Sequence, residues 1–156
     1  MKKSKGFTLI ELLIVMAVIA ILIAIAIPSF RGMQNEARKT KAQGDVRVIK
    51  IAVESYYKNH NNIYPTDSGA AIAYQTELMS VSPRILESNL YDPFGDSSTT
   101  PYVYALSVAG SPSTAKYYII YSVGPGGAGT ASVDNNGLVT VSTGDAGAVW
   151  ESNGHL

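Results

Sequence analysis

An apolar stretch close to the first residue constrains this chain more than any other feature. Residues 12–27 are sixteen consecutive apolar residues, and between positions 7 and 27 the only polar side chains are those of Thr8 and Glu11. A helix needs roughly 20 predominantly apolar residues to span the hydrocarbon core of a bilayer. The stretch over positions 7–27 is therefore long enough to span a bilayer. Three lysines among the first five residues place the N-terminus in the cytoplasm by the positive-inside bias.

Two ordinary interpretations leave part of this pattern unexplained. A removable secretory signal has an apolar core of about 7–15 residues and a small-residue cleavage site, whereas this stretch is longer, contains an acid and has no Ala-x-Ala-type ending before Pro28. A plain membrane anchor fits the length but gives no reason for Glu11. A carboxylate at the centre of a membrane helix costs about 2.5–3.5 kcal/mol, so we expect Glu11 to have a partner or a function.

A third interpretation accounts for the whole pattern. Residues 5–13 read KGFTLIELL, and together with the basic leader, the apolar run and Pro28 they resemble the signature of type IV prepilins and type II secretion pseudopilins. The resemblance implies that a prepilin peptidase cuts between Gly6 and Phe7 on the cytoplasmic face. It also implies that the new amine of Phe7 is then N-methylated.

The chain is expected to be an α+β protein of the type IV pilin-like class, in which a long N-terminal helix with a protruding hydrophobic half packs on a small antiparallel sheet. Residues 1–6 would be the cleaved leader, residues 7–28 the transmembrane or filament-core helix, and residues 29–156 the globular head with the amphipathic second half of the helix. Pro28 lacks an N–H and should kink or loosen the helix locally. With Phe7 and Glu11, it is also a candidate assembly residue.

The periodicity predicts a helix over residues 7–59 that ends in the turn-forming cluster 58–62. Its amphipathic part has an apolar side spaced at three to four residues, made of Ala37, Val48, Ile49, Ala52, Val53 and Tyr56. A short helix is predicted over residues 70–79. Runs rich in β-branched and aromatic residues predict strands at 102–106, 117–123 and 138–142, with a short edge strand at 148–150.

Four blocks occur in order in the second part of the chain: NIYPT at 62–66, DPFG at 92–95, PYVY at 101–104 and YSVGPGG at 121–127. Together they resemble blocks of the major pseudopilin of type II secretion systems. The resemblance implies a homopolymeric filament subunit that is extruded by an assembly ATPase through an inner-membrane platform protein, alongside minor pseudopilins. Its precursor would be a single-pass inner-membrane protein, and the filament would lie in the periplasm or at the cell surface.

Two alternatives remain open at this point. One is the major pilin of a surface type IV pilus, which belongs to the same class of protein. The other is a membrane-anchored envelope enzyme or ligand-binding domain, which would predict no cleavage at Gly6. Catalysis has little support, because the only histidines, His60 and His155, lie in polar, turn-like surroundings. No phosphate loop or zinc spacing is present.

Glu11 is the strongest candidate for assembly. The Phe7 amine is positively charged at neutral pH, and a subunit entering a filament could pair it with the Glu11 carboxylate of a neighbour. Thr8 and Glu11 also have capping-box spacing, so Glu11 could instead cap its own helix. The two roles are compatible.

A calcium site is the one metal site that the resemblance implies, in the loop after residue 121. This chain departs from the family there, since Gly126 stands where the family has an aspartate. Asp134 and the carbonyls of Ser122 and Val123 remain as candidate ligands, although calcium takes six to eight oxygens. The alternative is a glycine-rich turn that hydrogen-bonds to itself.

Charge and cysteine content exclude other classes. The chain has no cysteine and therefore no disulfide framework. Its formal net charge is zero, but residues 31–58 hold seven bases against three acids, and residues 59–156 hold two bases against eight acids. A basic stem and an acidic head are expected to attract each other between neighbouring subunits, or the stem could lie over anionic lipid. The acidic head argues against nucleic-acid binding.

Overall fold

The computed structural model describes residues 6–67, 72–95, 99–142 and 149–156. Its elements in chain order are α1 (Leu9–Asn59), α2 (Ala73–Ser80), β1 (Val103–Leu106), β2 (Tyr118–Tyr121), β3 (Ala131–Val133), β4 (Val139–Val141) and β5 (Trp150–Ser152). The chain divides into two units, Met1–Ala37 and Arg38–Leu156, and α1 contributes to both. The predicted α+β class, with a long N-terminal helix packed on antiparallel strands, is confirmed.

Helix α1 ends where the sequence predicts and begins two residues after the predicted start. Asn61 and Asn62 follow it with φ values of 54° and 59°, in the left-handed region that asparagine tolerates better than most residues. The N–H of Asn62 donates to the carbonyl of Tyr57 at 3.0 Å. The asparagine cluster therefore stops the helix by satisfying one of its last carbonyls.

The buried face of α1 differs from the predicted one. The fully buried residues Ala42, Val46, Ile49 and Val53 lie three or four positions apart, as one helix face requires. Ile49, Ala52, Val53 and Tyr56 were predicted correctly. Ala37 and Val48 were not: Ala37 is exposed and Val48 is 49% exposed. Apolar character alone selected them, whereas contact with the strands sets the rotation of the helix.

Three antiparallel strands form the larger sheet, in the order β1-β2-β5. The central strand β2 is buried along its whole length and pairs Ile120 with Tyr104 of β1 and with Glu151 of β5. β1 and β2 are slightly shorter than predicted. β5 lies two residues later than the predicted edge strand, of which residue 148 falls outside the described residues.

Strands β3 and β4 form a separate antiparallel pair. β4 was predicted, but β3 was not, because Ala131-Ser132-Val133 contains a single residue of high β-propensity. The turn between them bends at Gly137, whose φ of +87° favours glycine. Ala131, Val133 and Val139 are buried with Ile119 and Tyr121 in a second apolar cluster.

Helix α2 lies close to its predicted place, and residues 70 and 71 of the prediction are outside the described residues. Buried Tyr74 and Leu78 on α2 join the main core with the buried face of α1. Gln75 is fully buried and exchanges hydrogen bonds with the backbone of Leu90, donating at 3.0 Å and accepting at 2.7 Å. This pair attaches α2 to the loop that leads towards β1.

Tyrosine hydroxyls connect the sheet to carboxylates on α1. Tyr102, next to β1, donates to Asp45 at 2.9 Å, and Tyr118 on β2 donates to Glu54 at 3.0 Å. Both rings are fully buried. A buried hydroxyl without a partner costs free energy, so these pairs favour one register of α1 against the sheet.

Candidate functional site

The predicted cleavage point lies in open chain. Gly6, Phe7 and Thr8 precede α1 and have no regular secondary structure. Phe7 is 86% exposed, and nothing lies within 4 Å of the position that a Cβ on Gly6 would occupy. Exposed, irregular chain is what a protease can engage. The rest of the predicted leader, residues 1–5, lies outside the described residues, and cleavage and N-methylation stay predictions.

Thr8 and Glu11 form a capping box at the start of α1. Oε2 of Glu11 accepts from the backbone N–H of Thr8 at 2.9 Å and from the Thr8 hydroxyl at 2.8 Å. In return, the Glu11 N–H donates to the Thr8 hydroxyl at 3.3 Å. These contacts satisfy N–H groups that have no partner within the helix. Oε2 of Glu11 therefore accepts hydrogen bonds within its own chain, while no hydrogen bond to Oε1 is found among the described residues.

The apolar part of α1 is exposed all around its circumference. Among the described residues, α1 is the helix long and apolar enough to cross a membrane, and none of its most apolar window is buried. The exposed large side chains run from Leu9 at 83% to Phe30 at 61%. Apolar surface left in water costs roughly 25 cal/mol per Å², so this stretch requires cover by lipid or by protein. It fits the membrane anchor of a precursor.

Pro28 lies inside α1, which continues through it. Because proline has no N–H, the carbonyl of Ala24 loses its usual helical partner. The predicted local loosening, and a role of Pro28 in assembly, stay predictions.

Two of the three candidate calcium ligands, Asp134 and the Val123 carbonyl, are engaged in contacts within the protein. Oδ1 of Asp134 accepts from the N–H groups of Leu138 and Asn136, each at 2.8 Å, and the Leu138 N–H contributes most to holding the pKa of Asp134 below its ordinary value. The Val123 carbonyl accepts from Gly129 at 2.8 Å. One carboxylate falls short of the oxygen-rich shell that calcium prefers, so this set does not fit the ion well. Calcium stays a prediction.

Two acidic residues with many contacts were missed by sequence reasoning. Asp92, noted above only within the DPFG block at 92–95, is fully buried and accepts three hydrogen bonds. Glu151 on β5 accepts from Lys50 of α1 at 2.9 Å and lies 3.8 Å from Arg47. These contacts join the basic stem and the acidic head within one chain, and the attraction between neighbouring subunits stays a prediction. The one sequence signal for Glu151 is that an acidic residue directly follows the predicted edge strand.

The two histidines make packing and backbone contacts with their neighbours. His60 stacks on Tyr56 with ring centroids 3.8 Å apart, and its Nδ1 is 2.9 Å from the Tyr56 carbonyl. His155 pairs through its backbone with Gly137 and Val139. Over residues 6–67, 72–95, 99–142 and 149–156, no group of three His, Cys, Asp or Glu side chains is placed to hold a metal ion.

Comparison with known proteins identifies the family. A sequence profile described as the prokaryotic N-terminal methylation motif matches residues 1–27. The type II secretion system core protein G of Vibrio cholerae is 30% identical over 102 residues, which cover 62% of this chain and 69% of that protein. This chain belongs to the core protein G family. The family member from Pseudomonas aeruginosa is 29% identical over 133 residues, covering 81% of this chain and 87% of that protein.

Sequence similarity to pilins covers a shorter part of the chain. A fimbrial protein of Pseudomonas aeruginosa is 51% identical over 55 residues, which cover 35% of this chain and 36% of that protein. No solved structure matches the chain. The pilin-like family suggested by residues 5–13, close to the major pseudopilin, is thus confirmed, and the core protein G similarity extends over much more of the chain than the fimbrial one.

Proposed function

We propose that this protein is the repeating subunit of a type IV pilus-like filament, the major pseudopilin of a type II secretion system. The observation that carries the proposal is the exposed apolar half of α1 in a member of the core protein G family. Such a surface needs cover, and lipid before assembly and other copies afterwards supply it in turn. The protein acts as a structural subunit rather than as an enzyme.

The proposed sequence of events begins in the inner membrane. Residues 1–6 are removed as a leader by a prepilin peptidase, residues 7–28 anchor the precursor and later enter the filament core, and residues 29–156 form the head outside the cytoplasm. The assembly ATPase, the platform protein and minor pseudopilins are the proposed partners. The filament then lies in the periplasm.

The proposed pairing of Glu11 with the Phe7 amine of a neighbour would set the register between subunits. Both charges would lie among apolar helices, where leaving one partner of a buried ion pair uncompensated costs about 3–5 kcal/mol. The Thr8 contacts use Oε2 of Glu11. Oε1 therefore remains for an incoming amine, so capping and pairing need not exclude each other.

Glu11→Gln separates these two roles, because glutamine also completes a capping box but carries no charge. If pairing matters, Glu11→Gln and Glu11→Ala both insert into the membrane and both give little filament in a shearing assay. Thr8→Val is the matched control, since it removes the hydroxyl contacts and keeps the charge. Normal filament yield from Glu11→Gln would refute the pairing and leave capping as the role of Glu11.

Processing has a direct test. Mass spectrometry of assembled material is expected to find a mature N-terminus at methylated Phe7. Filaments built from chains that still begin at Met1 would contradict the leader proposal. Gly6→Leu, which places a large side chain at the cleavage point, is expected to leave uncleaved precursor in the membrane.

The surface pilus is the second candidate, favoured by the 51% identity to a fimbrial protein over 55 residues. Imaging of wild-type cells distinguishes the two. Long filaments outside the cell at normal expression would favour the pilus. A secretion defect on deletion of the gene, without such filaments, would favour the pseudopilus.

A further inference from the structure

The loop after β2, residues 122–130, is the part of the head where the family resemblance implies a bound calcium ion. The candidate ligand set supplies one described carboxylate, Asp134, which already caps its own turn. The residue that replaces the family's aspartate, Gly126, has φ +102°. An aspartate would be strained in that conformation. The loop is thus built for glycine at the position where the ion would need a carboxylate.

A buried carboxylate from a distant part of the chain accepts hydrogen bonds from this loop instead. Oδ2 of Asp92 accepts from the N–H of Val123 at 2.7 Å, and Oδ1 accepts from the Ser122 hydroxyl at 2.9 Å. Oδ1 also accepts from the N–H of Phe94 at 3.0 Å. Asp92 and Ser122 are both fully buried. Hydrogen bonds to a charged acceptor are about twice as strong as neutral ones, and burial shields them from water.

The loop then closes on itself from this anchor. The Ser122 hydroxyl accepts from the N–H of Gly124 at 3.1 Å, so it relays the contact with Asp92 into the loop. The Gly129 N–H donates to the Val123 carbonyl at 2.8 Å. A Cβ on Gly129 would lie 2.6 Å from that carbonyl oxygen, which shows how closely the two ends of the loop approach.

We propose that Asp92 is the anion that closes the loop after β2, so that the head of this protein holds the loop without calcium. A calcium ion joins loop segments by presenting its double positive charge to many oxygens. Asp92 does the reverse, since it presents one negative charge to N–H and O–H donors from two segments. The inference concerns the folded head and holds whether or not the chain polymerises.

The first test is thermal melting of the full-length protein in detergent micelles, with calcium in excess and with chelator. Trp150 is the only tryptophan, and it lies in β5, next to β2, so its fluorescence reports unfolding of the head. The two melting temperatures are expected to coincide. A clear rise with calcium overturns the proposal, because an ion that binds only the folded state raises its melting temperature.

The second test compares two isosteric variants. Asp92→Asn places an amide NH₂ against N–H donors that are buried, and we expect the melting temperature to fall by about 5–10 °C. Asp134→Asn is the matched control, because it also removes a carboxylate that accepts two backbone N–H groups but is exposed, and its fall should be smaller. Equal falls for the two variants would overturn the assignment of Asp92.

Hydrogen exchange localises the effect. Asp92→Asn is expected to speed exchange about tenfold at the amides of residues 123 and 124 and to leave residues 136–138 unchanged, whereas Asp134→Ala, which removes the oxygen that accepts from residues 136 and 138, should do the opposite. If Asp92→Asn does not fold, Ser122→Ala takes its place, since it removes one donor to Asp92 and the acceptor for Gly124. Unchanged exchange at 123 and 124 in both Asp92→Asn and Ser122→Ala contradicts the proposal.

Discussion

Replacement of Ile49 by alanine tests how α1 is rotated against the sheet. Ile49 is fully buried in the main core, whereas Ile51, two positions later on the same helix, is 69% exposed. Truncating a buried isoleucine to alanine costs about 2–5 kcal/mol, which combines the lost transfer free energy and the cavity. Alanine recovers only a few tenths of a kcal/mol through its better helix propensity.

Ile51→Ala is the matched control. It removes the same atoms from the same helix, and an exposed substitution usually changes stability by no more than about 0.5 kcal/mol. The unit Arg38–Leu156 has 119 residues, for which 1 kcal/mol corresponds to roughly 4 °C in melting temperature. We therefore expect Ile49→Ala to lower the melting temperature by about 8–20 °C and Ile51→Ala to change it by about 2 °C or less.

Trp150 fluorescence in full-length protein reports both melts, and urea titrations give the corresponding free energies of unfolding. Membrane insertion should be the same in the two variants, because both substitutions lie outside the apolar stretch. If Ile51→Ala lost as much stability as Ile49→Ala, the described face of α1 would be wrong. If neither lost stability, the main core would not depend on α1.

Three further predictions concern the head. Tyr118→Phe should cost about 1–2 kcal/mol, because Glu54 loses a donor, and a double-mutant cycle with Glu54→Ala should show coupling of at least about 0.5 kcal/mol; purely additive losses would contradict the contact. Burial raises the pKa of Tyr56 and Tyr64 from about 10 to about 12. In the unfolded chain these tyrosines lose their protons at a lower pH than in the folded protein, so stability should fall as the pH rises from about 10 to 12. Melting temperatures that do not change over this range would contradict the raised pKa values. Gly129→Ala should lower the melting temperature, since its Cβ would meet the Val123 carbonyl; an unchanged melt would show that the loop ends are farther apart.

The capping box of Thr8 and Glu11 and the ends of α1 could be predicted because their signals are local. The apolar run, the Thr8–Glu11 spacing and the asparagines after residue 59 each act through neighbours in the sequence. The rotation of α1 could not be predicted in the same way. Val48, Ile49 and Ile51 are all apolar, and only packing against the strands makes Ile49 buried and the other two exposed.

Strand β3 and Asp92 were missed for related physical reasons. Ala131 and Val133 lie in a strand because β4 pairs with it and because their side chains are buried beside Ile119 and Tyr121. Intrinsic β-propensity contributes little there. Asp92 carries a turn-forming signal together with the proline that follows it. Its partners lie about 30 residues away in the sequence, and no local pattern announces a contact at that separation.

The polar contacts between α1 and the sheet have a mechanical consequence. Asp45, Lys50 and Glu54 bond to Tyr102, Glu151 and Tyr118 respectively, at points spread over about 14 Å of helix axis. If α1 is pulled along its own axis, all three bonds are stretched together. If it is peeled from one end, they break one after another. The head is therefore expected to resist axial tension, the direction in which a growing filament would load it, better than it resists lateral peeling.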